Sequence, residues 1–188
     1  MVVTLPGGME LRRTANGALA GALAAAVWAA QQPIDKRFFD TRYDDVELLG
    51  KLVTRDGGWP AAGVALHLAN GAAFGAVYSL LRPLFPGPAA LAGVTAGLAE
   101  HMGLWPLGRL VDDHHPARGD LEALWGNRRA FSAATWRHLL FGLTLGELER
   151  RLNADDKFEP LEDVPVSSNG HGNIERAAVG AAEEPSRP

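Results

Sequence analysis

Charged and uncharged stretches alternate along this chain. Four segments are apolar and nearly free of charge: residues 15–30, 60–81, 89–108 and 131–148. Residues 60–81 carry no charge at all and are long enough to cross roughly 30 Å of hydrocarbon at about 1.5 Å per residue. The first segment follows Arg12-Arg13 and consists largely of Ala, Gly and Leu. It begins like a secretory signal, but more apolar blocks follow it in place of a soluble mature domain. It is therefore expected to be a first membrane helix, ended by Pro33. The third segment is interrupted by Glu100-His101, and the fourth carries Arg137-His138.

The stretches between are polar. Residues 34–59 and 109–130 form two charged connections, and the proline-rich run 82–88 forms a tight turn. Within the first connection, Val46, Leu49 and Val53 share one helical face, with acids before them and Lys51 near the end. That order suits the helix dipole and predicts a short amphipathic helix in the membrane interface. Residues 1–14 are read as a polar N-terminal segment, and 153–188, rich in Pro, Ser, Gly and Glu, as a disordered tail.

The chain also repeats itself. His67-Leu68-x-x-Gly71-x-x-x-Gly75 returns as His138-Leu139-x-x-Gly142-x-x-x-Gly146. Ala18-Leu19-Ala20-Gly21 returns as Ala90-Leu91-Ala92-Gly93, and Asp45-Val46-Glu47-Leu48-Leu49 as Asp120-Leu121-Glu122-Ala123-Leu124. Pro33 and Asp40 correspond to Pro106 and Asp113. The matches keep their order, which predicts a tandem duplication with units at 15–82 and 83–152. The expected fold is an all-α bundle of four transmembrane helices. It would be built from two parallel helix–loop–helix repeats, with an amphipathic helix in each connection. Glycines four apart in apolar helices mark close packing, so Gly71, Gly75, Gly142 and Gly146 are read as helix-packing sites that also invite a homodimer.

Composition narrows the function. The chain of 188 residues has no cysteine, which removes disulfides, zinc–thiolate sites and thiol catalysis. A formal net charge of −4 argues against nucleic-acid binding. No nucleophile elbow, zinc-protease motif, phosphate loop or dinucleotide fingerprint is present, so an enzyme is not expected. Lys and Arg are more numerous on the connection side, which would place the connections in the cytoplasm.

The candidate chemistry lies in one layer. His67 and His138 each stand about seven residues into a helix from the connection side, and Glu100-His101 about eight residues before the third helix leaves there. All four fall roughly 10–12 Å below that end. Ionisable groups at such depth are costly in lipid and should face the bundle interior. They would either stitch the helices together or relay protons. Arg137 is expected to snorkel to the surface. Two alternatives use the same layer. His67 and His138 could ligate one b-type haem, or His67, His101, His138 and Glu100 could hold a metal ion; the expectation remains that no cofactor is bound. Asp112-Asp113-His114-His115 is read as a solvated loop in preference to a metal site.

The sequence therefore predicts a small multi-pass membrane protein, placed in a bacterial inner membrane, with a structural, accessory or proton- and small-solute-handling role. Lipid would be its main partner, with a second copy or another membrane protein as a further one. A soluble helical bundle is the competing reading.

Overall fold

The computed structural model describes residues 7–154, and these are helical with no strand among them. Six helices follow in order: α1 (Gly7–Phe38), α2 (Asp45–Val53), α3 (Trp59–Leu81), α4 (Ala89–Leu104), α5 (Gly108–His114) and α6 (Arg128–Leu152). Single 3-10 turns continue α3 and α4. The expected disordered tail falls, from residue 155 onward, outside the described residues.

Local chemistry sets the helix ends. α1 has Glu10 in its first turn and Lys36 and Arg37 in its last, which complements the helix dipole. The Asp44 carboxylate caps α2 by accepting from the Glu47 N–H at 2.9 Å. The Asn127 side chain caps α6, accepting from the N–H groups of Arg129 and Ala130. At the far end of α6 the Asn16 amide donates to the Leu152 carbonyl oxygen and to Asn153.

Four expectations about the elements are corrected. Helix α1 starts inside the supposed polar segment 1–14 and does not end at Pro33; it runs on to Phe38. Asp35 lies beyond the proline and is held by Arg137 and by the Gln31 amide, which keeps the last turns helical. In the second connection no helix forms over 120–124, the counterpart of α2. There the Leu124 and Trp125 N–H groups donate to the Asp112 carboxylate, and Glu122 is drawn to Thr41 and Asn127. The third apolar segment is helical only to Leu104, after which the chain bends through Trp105–Leu107 into α5.

Packing follows the small residues. Helices α1 and α3 meet at glycines so closely that a Cβ on Gly21 would lie 2.0 Å from the Gly71 carbonyl oxygen. Helices α4 and α6 meet in the same way, with a Cβ on Gly93 falling 2.1 Å from the Gly142 oxygen. Gly71, Gly75, Gly142 and Gly146 are all buried in these two contacts. They are used within the chain, so the surface that suggested a homodimer is already occupied. Helix α1 also packs along α6, and α2 lies on α3. Helices α3 and α4 form no packed interface with each other. The packed pairs thus run α3, α1, α6, α4, and a groove separates α3 from α4.

Two polar knots fix α1 to α6, one at each end. At the connection end Arg137 joins Asp35 and Asp45. At the other end Arg13 and Glu149 pair at 3.3 Å around Ser79, whose hydroxyl donates to Glu149. Between these knots the outer faces of the bundle are largely apolar. Leu19, Leu23 and Val27 on α1, Val64, Leu66 and Val77 on α3, Leu91 and Met102 on α4 and Leu143 on α6 are exposed, while many of the buried positions are Ala, Gly, His, Ser and Arg. One helical stretch, Trp59–Leu84, is both long and apolar enough to cross a membrane, with a mean hydropathy of 1.4. Among the described residues the other three expected spans do not meet that measure.

Candidate functional site

His67, Glu100, His101 and His138 come from three helices and line one cavity of about 300 Å³ at the connection end of the α3–α4 groove. Trp28, on α1, stands among them. Its ring meets His67 edge-on at a centroid distance of 5.1 Å and His138 at 4.6 Å. His101 stacks on His138 at 4.7 Å. Tyr43, Asp45 and Trp105 complete the polar and aromatic wall.

Hydrogen-bond partners fix the ring protons. His67 Nε2 donates to the Ala25 carbonyl oxygen at 3.2 Å, which leaves Nδ1 as an acceptor. The Thr135 hydroxyl donates to the Phe131 carbonyl, so its oxygen accepts from His101 Nε2 at 2.9 Å; His101 Nδ1 is then also an acceptor. His138 differs. Its Nδ1 faces the Ala134 carbonyl at 2.7 Å and its Nε2 faces Glu100 Oε2 at 2.9 Å. Both nitrogens meet oxygen acceptors, so ring and carboxyl share one proton between Nε2 and Oε2.

Next to this layer lies a cluster that the sequence reading missed. Arg137 was expected to snorkel outward and is instead fully buried. Its Nε and Nη2 donate to the two Asp35 oxygens at 2.8 and 2.5 Å, and its Nη1 donates to Asp45 at 2.7 Å. The Tyr43 carbonyl takes a further bond at 3.1 Å, and the Tyr43 ring stacks under the guanidinium. A bidentate Arg–carboxylate pair with a second acid satisfies a charge that an apolar interior would otherwise reject. Asp45 also accepts from Trp28 Nε1 at 3.2 Å and from the Tyr43 hydroxyl. Burial pushes the Asp45 carboxyl up, but the Arg137 charge and the Tyr43 hydrogen bond outweigh it, and the carboxyl ends below its ordinary value. Burial, then the Asp45 charge, push the Tyr43 hydroxyl well above its usual range. A signal for this cluster existed in the sequence: an Arg in an uncharged run needs an acid, and Asp35 and Asp45 stand at the same end of the bundle.

The cofactor alternatives fare less well. Trp28 lies against both His67 and His138, so the two rings are not left facing each other across an open slot for a flat haem. No group of three or more His or acidic side chains among the described residues is arranged to hold a metal ion. The Asp112–His115 stretch is dispersed as well. Asp112 caps the Leu124 turn, whereas His115 is buried, accepts from the Ala117 N–H and donates to the Leu48 carbonyl at 3.0 Å. No protein-family model matches the chain, and neither a curated protein nor a solved structure matches it.

Proposed function

We propose that this chain is a small, non-enzymatic membrane protein: a duplicated four-helix bundle whose His/Glu chamber handles protons or a small polar solute. The observation that carries this reading is the inversion of polarity across the bundle. Ionisable side chains converge on an interior cavity, while Leu and Val occupy the outer faces. In a water-soluble bundle the most apolar helix is normally the most buried. Here only 28% of the apolar window of α3 is buried. Lipid is the solvent that such an outer face fits. The paired glycine contacts, α1 on α3 and α4 on α6, support the two-unit reading. With both connections on one side, the shared proton of His138 and Glu100 lies near that face.

The first test is extraction. Membranes washed at alkaline pH should retain the protein, and recovery in the soluble fraction without detergent would overturn the membrane reading. The second is function. Liposomes containing the protein should dissipate a pH gradient faster than empty ones, and Glu100→Gln should abolish the difference. Equal rates for the unaltered protein and empty liposomes would overturn the proton-handling role.

A further inference from the structure

The groove between α3 and α4 has two ends of opposite character. At the connection end lies the His/Glu cavity. Toward the proline-rich turn lies a second cavity of about 470 Å³, walled by Val77, Leu81, Leu91 and Thr95. Phe74 lines both, so the two are successive along one groove. Both volumes fall within or near the range of small-molecule sites, roughly 300–1,000 Å³.

The groove exists because one helix seam is closed and its counterpart is not. In the two-unit arrangement, α1 against α6 corresponds to α4 against α3. The first seam is bolted by Arg137, the residue before His138. The residue before His67 is Leu66, which is exposed and holds nothing across the groove.

We propose that this groove binds a hydroquinone carrying a hydrocarbon chain, with the ring among the histidines and the chain in the apolar cavity. The inference rests on the membrane reading above and names the ligand class for the same chamber. The unprotonated Nδ1 atoms of His67 and His101 have no hydrogen-bond partner among the described residues, on side chains that line the cavity. They are acceptors that call for hydroxyl donors. Trp28, Tyr43 and Trp105 give that end aromatic walls, which suit a flat head. An anionic phosphate head would meet Glu100 and Asp45, and Arg137, the one buried cation among the described residues, is already paired with two acids. An ammonium head would find Glu100 sharing its proton with His138. A neutral donor is the chemistry left.

The test is calorimetric titration of the full chain in detergent with decyl-hydroquinone, held reduced under anaerobic conditions. Saturable binding is expected. The dimethyl ether of the same compound, which keeps ring and tail but cannot donate, should bind at least about tenfold more weakly. Tailless hydroquinone should lose a similar factor. Thr95→Phe, at an exposed position lining the apolar cavity, should weaken the tailed ligand only. Equal binding of hydroquinone and ether, or absence of saturable binding by protein with a cooperative melt, would overturn the assignment. These results are read independently of the extraction test, so failure here leaves the membrane reading standing.

Discussion

Arg137 on α6 grips Asp35 on α1 through two nitrogens, at 2.8 and 2.5 Å, with both side chains almost wholly withdrawn from the surface. Replacing Arg137 by Met would strand the buried Asp35 carboxylate and the half-buried Asp45 carboxylate. The expected loss is about 3–5 kcal/mol, measured by thermal or chemical unfolding in detergent. Arg137→Lys should recover only part of it, because an ammonium cannot reproduce the two-pronged contact. An unchanged melt for the Met variant would show that the pair holds nothing together.

Two glycines of α4, one inside a seam and one outside it, predict opposite signs. Gly93→Ala forces a Cβ against the Gly142 carbonyl and should destabilise by about 1–3 kcal/mol. Gly103, on the same helix, has open space around its Cα. There Ala should be neutral or stabilising by up to about 1 kcal/mol, since it relieves the entropy that glycine loses. Equal melting shifts for the two variants would contradict the close contact of α4 with α6.

Acid should loosen the connection end. Asp45 titrates below its ordinary value once burial, Arg137 and Tyr43 have acted, and Glu122 does so once burial is outweighed by its bonds to Asn127, Arg42 and Thr41. A depressed carboxyl adds stability above its unfolded value of about 4, and that stability is lost as the pH falls through the folded value. Melting temperature should therefore fall below about pH 4, and Asp45→Asn should flatten that limb. An acid limb of the same steepness in the variant would assign the loss to other groups.

At the alkaline end Tyr43 acts in the opposite direction. Its raised value means the folded state holds the neutral phenol, so its contribution is complete below about pH 10 and is lost as the pH rises through the folded value. Near-ultraviolet titration should show its phenolate forming only as the protein unfolds, and Tyr43→Phe should remove that component. A reversible phenolate signal from Tyr43 in folded protein would contradict its burial.

Much of the helical layout can be read from apolar period and caps. The positions of α2, α3 and α6 follow from Asp44, the uncharged run after Trp59, and Asn127. The glycine contacts were legible too, because small residues four apart have few other uses in an apolar helix. What misleads is Pro33, where a propensity rule yields to the tertiary hold on Asp35. The fate of Arg137 depends on acids 102 and 92 positions away, and only the fold brings them to it. The repeat misleads in the second connection. Asp120–Leu124 matches α2 in sequence, yet its backbone donors go to Asp112. Trp28 carries no signal in the sequence, one aromatic in an alanine-rich helix, although it stands at the centre of the site.

On the duplication proposed above, the difference between Arg137 and Leu66 also bears on descent. A half-length ancestor pairing with its own copy would carry the same residue on both sides, and so would have either two bolted seams or two open ones. Joining the copies in one chain removes that constraint. A single substitution can then fix one side as scaffold and leave the other free to change, so selection on the open side need not trade against the stability of the whole.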